Sequence, residues 1–327
     1  MPLGDAKTAE KLLSDLVYDL RHTVQEWADL TSQTAQPRMG YAGQHLVSVI
    51  TSLKGSRSGA RGFDLVDVTG RHNMGEIKTC NKVDRLGVCL NPNCDGRVFT
   101  HEGQCPKCKG TQIGRKDDSK WLIGFSDESK FKKMLDPARY YLVLFALDDL
   151  ISPKALVTKV WRVDPMSPGF ALCLAAYYLP RMNKTNRAPF NLWPEYKAFR
   201  LMRPVLIYHS DLALCDGKVT THVFDPTATV PEPILPLGTN LTGLTKQQAV
   251  DLAAKLGLPD PVRVTWDKPK LTGEVDRMIQ DAITQGLFTE EVLAAMIAKL
   301  LYGDAVKGEL TKRRLSGPFY NRLKAMA

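Results

Sequence analysis

The stretch Phe63–Cys80, FDLVDVTGRHNMGEIKTC, reads as strand, turn, strand, with turn-forming residues around Gly70 to His72. Alternation along the second strand puts Glu76 and Lys78 on one face and sends Ile77 into the core. Asp64, on the first strand, then stands opposite Glu76 or Lys78, or one diagonal away, within reach of one shared site. Asp67 lies at odd spacing from Asp64 and turns to the other face. Two carboxylates converging beside an ammonium are what a Mg²⁺-dependent phosphodiesterase needs. The acids hold a hard cation through oxygen. The cation polarises a phosphate and lowers the pKa of a water. The lysine orients that water or stabilises the charge developing on phosphorus. Asp, Glu and Lys are also common on half-exposed hairpins, so the weight of this reading comes from what surrounds it.

Directly after the hairpin, residues 87–108 read GVCLNPNCDGRVFTHEGQCPKC. Cys89 and Cys94 form one close pair, Cys105 and Cys108 another. Each pair offers two thiolates from one turn, and two such turns close a tetrahedral site around Zn²⁺. Pro92, Asn93, Gly96, Gly103, Pro106 and Gly110 supply the bends. His101 is a competing ligand, but four cysteines already complete the set. A closed four-ligand site is structural, so the zinc holds a small ribbon over about residues 86–114 and the chemistry lies elsewhere.

Outward from these two features, residues 8–31 carry Leu12, Leu13, Leu16, Val17, Leu20, Val24 and Trp27 at helical spacing. A second helix is expected from Ala42 to Leu53. Strands are expected at Lys120–Phe125, Tyr140–Leu147, Ala155–Val163, Val205–His209 and Lys218–Phe224. Phe170–Leu179 fits a buried strand or a helix; Pro168–Gly169 at its start and Pro180 at its end favour the helix. Residues 226–240 hold four prolines and almost no charge, the composition of a linker or a surface strap. Beyond it, residues 241–327 form a helical C-terminal region, with helices at Thr245–Leu256, Glu274–Ala282, Thr289–Leu301 and about Pro318–Ala325.

The 327 residues, 44% of them apolar, suffice for a substantial core. A net charge of +9 suggests a polyanionic partner, nucleic acid before membrane. The first residues lack the apolar core of a signal peptide, and no apolar run is long enough to span a bilayer. Seven cysteines, four in metal-type pairs, fit a reducing cytoplasm, with Cys80, Cys173 and Cys215 as free thiols. Lys54, Arg57 and Arg61 lie on a glycine-rich loop just before Asp64, where backbone N–H groups can approach phosphates. The stretch 177–204 mixes Arg and Lys with Asn183, Asn186 and Asn191; Asn183, Lys184, Asn186 and Arg187 are its candidate DNA contacts. The basic C-terminal helix reads more simply as a solvated face.

Gly62-Phe63-Asp64 followed by Glu76-Ile77-Lys78 resembles the active-site signature of the PD-(D/E)XK nucleases, the superfamily of most type II restriction endonucleases. The resemblance covers roughly residues 40–80. It implies an α/β fold, a mixed sheet flanked by helices, with a nuclease core over 1–85 and 115–225; the cysteine ribbon then reads as an insertion after the catalytic strand. Carried over, Asp64 and Glu76 become Mg²⁺ ligands and Lys78 the water-positioning residue. Phe63 stands where the family name has Pro. Many members carry a further acid on the upstream helix; here the comparable face carries Gln44, which can ligate only through its carbonyl oxygen. The implied activity is Mg²⁺-dependent, sequence-specific cleavage of double-stranded DNA by a homodimer, one hairpin per strand. A non-catalytic DNA-binding or regulatory protein, a structure-specific repair nuclease and an RNA-processing factor are the alternatives.

Overall fold

The computed structural model describes residues 2–31, 39–55, 64–66, 73–80, 87–98, 104–114, 121–124, 127–147, 154–182, 189–192, 196–234, 244–259 and 267–327. Their core is a mixed seven-stranded sheet. Its strands are β1 (Lys54–Gly55), β2 (Leu65–Val66), β3 (Asn73–Cys80), β8 (Arg139–Leu147), β9 (Ala155–Val163), β11 (Val205–Ala213) and β12 (Val219–Phe224), in that spatial order. Every pairing is antiparallel except β3 with β8, whose parallel register sets Glu76 beside Tyr140 and Lys78 beside Leu142. Tyr140 to Ala146 are buried without interruption, as a strand covered on both faces requires.

One face of the sheet carries α1 (Ala6–Leu13) and α3 (Met39–Thr51), whose Leu13, Leu46 and Ile50 pack with Ile77, Val143 and Val160. Asp5 caps α1 by accepting from the Thr8 N–H. The helical run expected over 8–31 continues through a π segment, Ser14–Asp19, into α2 (Leu20–Thr31). Its far end does not reach the core: Trp27 and Leu30 are exposed, contrary to the apolar stripe read for Trp27.

The opposite face carries α4 (Glu128–Met134) and α5 (Pro168–Tyr178). Phe170–Leu179 is thus helical, and its buried faces all round explain why periodicity alone left it ambiguous. Trp121, Trp161 and Phe199 interlock here, the Trp121 and Phe199 rings stacked at 5.8 Å and Trp161 edge-on to Phe199 at 5.3 Å. The strand expected at 120–125 shrinks to β7 (Leu122–Ile123), which pairs with β10 (Phe190–Asn191) outside the main sheet. Residues 87–114 form β4 (Gly87–Cys89), β5 (Arg97–Val98) and β6 (Ile113–Gly114), a three-stranded sheet of its own.

After α6 (Tyr196–Leu201) and β12, residues 226–234 run as a strap. Arg162 donates to the carbonyls of Pro226 and Ala228, the Glu232 N–H donates to Pro204, and Ile234 is fully buried. Among the described residues, five helices follow: α7 (Lys246–Lys255), α8 (Lys268–Thr284), α9 (Glu290–Ala298), α10 (Asp304–Lys312) and α11 (Pro318–Met326). The helix expected at Glu274–Ala282 begins earlier, because Asp267 caps it and Pro269 sits in its first turn. The helix expected at Thr289–Leu301 does not stop there; a π turn at Lys299–Gly303 carries it into α10. α7, α8 and α9 share a small core of their own, whereas Val306, Leu310, Tyr320 and Leu323 join the core beneath α5.

One close approach fixes the site from below. A Cβ on Gly43 of α3 would lie 2.0 Å from Thr79 Oγ1 of β3. Gly43→Ala therefore pushes the helix carrying Gln44 off the strand carrying Glu76, at about 1–3 kcal/mol. Urea unfolding reads this as a lower midpoint, which Thr79→Ala in the same chain partly restores. An unchanged midpoint would mean that the two elements do not touch.

Candidate active site and cysteine knuckle

Asp64 sits at the start of β2, one residue before the pairing of Leu65 with Gly75. Its carboxylate bridges two elements: Oδ2 accepts from the Ile77 N–H of β3 at 2.8 Å, and Oδ1 accepts from Gln44 Nε2 of α3 at 2.7 Å. On β3, Lys78 Nζ donates to Glu76 Oε1 at 2.6 Å. The Glu76 side chain is only 11% exposed and Lys78 21%, so this is not an ordinary surface ion pair. Gln44, Asp64, Glu76 and Lys78 are thereby linked across α3, β2 and β3.

Burial pushes the Glu76 carboxyl above the usual carboxylate range. Lys78 draws it back, the Asp64 charge raises it further, and Lys130 on α4 lowers it slightly. Glu76 thus sits in a partly dry place near a second carboxylate, and the adjacent ammonium does not fully offset its burial. Tyr140, paired with Glu76, is held far above its ordinary pKa by burial and then by the two carboxylates; its hydroxyl donates to the Met134 carbonyl at 2.8 Å. It stays neutral and committed. Lys130 escaped the sequence reading because α4 did; the signal was the Asp127 cap, which accepts from the Lys130 N–H.

In the second cluster, Cys89, Cys94, Cys105 and Cys108 place their sulfur atoms within 4.8 Å of one another. Cys89 and Cys108 stand 3.5 Å apart, Cys94 and Cys105 3.6 Å. A tetrahedral ion with Zn–S bonds of about 2.3 Å requires sulfurs ~3.8 Å apart, so the set fits a metal ion with little adjustment. Backbone N–H groups of Asn91, Gly96 and Gly110 face Cys89, Cys94 and Cys108. The Gly110 N–H and then the Cys89 thiol hold Cys108 down at about 7. The Gly96 N–H also lowers Cys94, but burial and three crowded thiols outweigh it and push Cys94 up to about 12. A Cβ on Gly96 would lie 2.3 Å from Cys105 Sγ, so only glycine allows this turn to wrap the cluster.

Lys54 lies on β1, exposed, one strand from Asp64 and paired with Val66. Arg57, Arg61, Asn183, Lys184, Asn186 and Arg187 lie outside the described residues, as do His101 and Asp67. Three other cations of the 177–204 stretch, all among the described residues, are occupied within the fold. Arg200 is buried and donates to the Pro233 carbonyl at 2.7 Å, Arg203 pairs with Glu290 at 2.7 Å, and Arg181 lies over the Tyr177 ring. Arg200 and Arg203 thus tie the α6 segment to the strap and to α9.

Among the described residues no helix is long and apolar enough to cross a membrane. A family model described as MamI restriction endonuclease matches residues 26–234, which include Gln44, Asp64, Glu76, Lys78 and all four clustered cysteines. No curated protein and no solved structure matches the chain.

Proposed function

The chain belongs to the MamI restriction endonuclease family, a family of DNA nucleases, and from that premise we propose a Mg²⁺-dependent, sequence-specific endonuclease of double-stranded DNA, of type II, acting as a homodimer. The observation that carries the reading is the linked set Gln44–Asp64–Glu76–Lys78, with two carboxylates and one ammonium in a partly dry place. The donor set fits a hard divalent cation. It offers carboxylate oxygens, each with lone pairs left after its present hydrogen bonds, and an excess of negative charge that burial has made costly.

Asp64 and Glu76 are the residues that hold Mg²⁺ in this reading, with the Gln44 carbonyl able to join after its amide turns. The chemistry a bound Mg²⁺ supplies is polarisation of the scissile phosphate and a lower pKa for the attacking water. The Ile77 N–H fixes the Asp64 carboxylate against β3, so its oxygens keep one direction. Lys78 has three N–H donors and gives one to Glu76. The others orient the attacking water and stabilise the charge that builds on the phosphate oxygens. In the knuckle, Cys89, Cys94, Cys105 and Cys108 hold Zn²⁺, which has no part in the hydrolysis.

A duplex presents two scissile bonds, and a two-fold dimer sets one hairpin on each. Incubation with phage DNA and Mg²⁺ tests the whole reading: discrete bands are expected, absent with EDTA. A smear would deny sequence specificity, and uncut DNA would deny the activity.

Lys54, Arg57 and Arg61 serve the phosphates in this proposal. Neutralising all three weakens binding to every DNA sequence and flattens the dependence of log K on log salt by about one for each phosphate left without its cation. An unchanged salt slope would remove this segment from the interface. Changing Asn186 or Arg187 relaxes sequence preference instead.

A further inference from the structure

At the far edge of the sheet, three metal-ligand side chains meet that neither the hairpin nor the knuckle uses. His222 Nε2 of β12 lies 2.7 Å from Asp211 Oδ2 of β11. His209 Nε2 lies 3.8 Å from Asp211 Oδ1, and the two imidazole rings stand 4.9 Å apart. One ligand atom from each residue falls within a common 4.8 Å.

The backbone brings them together. His209 and Asp211 are two apart on β11 and share a face. Pairing runs His209 with Val223 and Ser210 with Thr221, so His222 is the extra residue of a β-bulge. Unbulged, His222 would sit opposite Ser210, whose side chain is buried on the other face. The bulge turns it toward His209 and Asp211. A simple surface His–Asp pair needs only Asp211 and His222; the second imidazole beside them is what that reading leaves unexplained.

We propose that His209, Asp211 and His222 form a third metal site, taking one first-row divalent ion of the Zn²⁺ or Co²⁺ kind with coordination positions left open to water. Two imidazoles and a carboxylate suit such ions rather than Mg²⁺ or Ca²⁺. Ligands about 2.0–2.2 Å from a tetrahedral ion lie ~3.4 Å apart, and the two separations from Asp211, 2.7 and 3.8 Å, bracket that value. The side chains are 26%, 40% and 42% exposed, so a hydrated ion can reach them. Lys159, paired opposite His209 on β9, opposes a bound cation, and the Asp211 carboxylate offsets it. The site is accordingly weaker than the cysteine knuckle. A bound ion cross-links β11 to the exposed edge strand.

Cobalt titration of the intact, zinc-loaded protein, in excess Mg²⁺ so that the Asp64–Glu76 site is already filled, tests this. One further equivalent of Co²⁺ is expected, with weak visible d–d absorption and without the intense near-ultraviolet thiolate band that entry into the knuckle would give. His222→Ala and Asp211→Asn, at half-exposed positions, each weaken that binding about tenfold or more while leaving metal-free unfolding midpoints near wild type. No further equivalent, an accompanying thiolate band, or a titration that either substitution leaves unchanged overturns the proposal.

Discussion

Glu76→Gln abolishes cleavage and, in Mg²⁺-free buffer near neutral pH, raises the thermal midpoint of the fold. The two effects share one cause. Burial holds the folded-state pKa of Glu76 above its unfolded value, the neighbouring Asp64 adds to the shift, and Lys78 only partly opposes it. A group raised in this way stabilises the fold fully below the unfolded carboxylate pKa, and that contribution is lost as pH rises through the folded pKa. Near neutrality the ionised carboxylate is thus a net cost, and glutamine keeps its shape while removing the charge. The midpoint difference should vanish as pH falls through the carboxylate range. Adding Mg²⁺ should raise the wild-type midpoint and leave Glu76→Gln unmoved, since binding to the native state alone is what stabilises it.

The loss of rate follows from what the cation supplies. Several kcal/mol of transition-state stabilisation, at about 1.4 kcal/mol per tenfold, amounts to more than a hundredfold. Asp64→Ala should lose as much while retaining DNA affinity, because a repulsive carboxylate near the phosphate has gone. Lys78→Ala should also stop cleavage but leave Mg²⁺ binding largely intact, since ammonium is no ligand for a cation. A purely structural hairpin predicts modest stability losses and unchanged activity in all three. If the Glu76→Gln protein cuts DNA at the wild-type rate with Mg²⁺, the hairpin is not the active site.

What was legible in the chain, and what was not, divides along local and non-local lines. The Glu76–Cys80 alternation, the paired cysteines and the uninterrupted apolar run Tyr140–Leu147 each carry their structure within a few residues. The mixed sheet flanked by helices follows from such runs and is what the structure has. The parallel pairing of β3 with β8 across more than sixty intervening positions leaves no local trace, yet it seats Glu76 beside Tyr140. α4 was missed because ESKFKKM is mostly charged, with Phe131 and Met134 as its buried contacts. The contacts of Arg200 with the Pro233 carbonyl and of Arg203 with Glu290 are tertiary and leave no local mark in the sequence. The bulge that turns His222 is likewise a matter of register, set by the partner strand.

Stripping the metal from the four cysteines is expected to unfold residues 87–114 while the two large cores remain. Among its described residues the apolar core is very small. Its buried cluster is Cys89, Val98 and Cys105, with Cys94 and Ile113 at the margin, and its strands are two or three residues long. Units this small do not bury enough surface to fold without a staple. Metal coordination supplies roughly 10–16 kcal/mol in isolated zinc-finger peptides at neutral pH, far more than these few apolar contacts. Metal analysis of the purified chain should give about one Zn²⁺ for the knuckle, and Cys105→Ser should release it. Gly96→Ala should release it too, since its methyl would collide with Cys105 Sγ although no ligand is changed. Because the ligands must be thiolates, affinity falls as pH falls, and a chelator should strip the ion faster in mild acid. Limited proteolysis then reads the outcome: cuts confined to 87–114 after chelation, and none before. The knuckle lies in the connection between β3 and β8, so its collapse should also loosen the strand that carries Glu76 and Lys78 and reduce DNA binding. A metal-free wild type that resists protease across this segment would refute the zinc site.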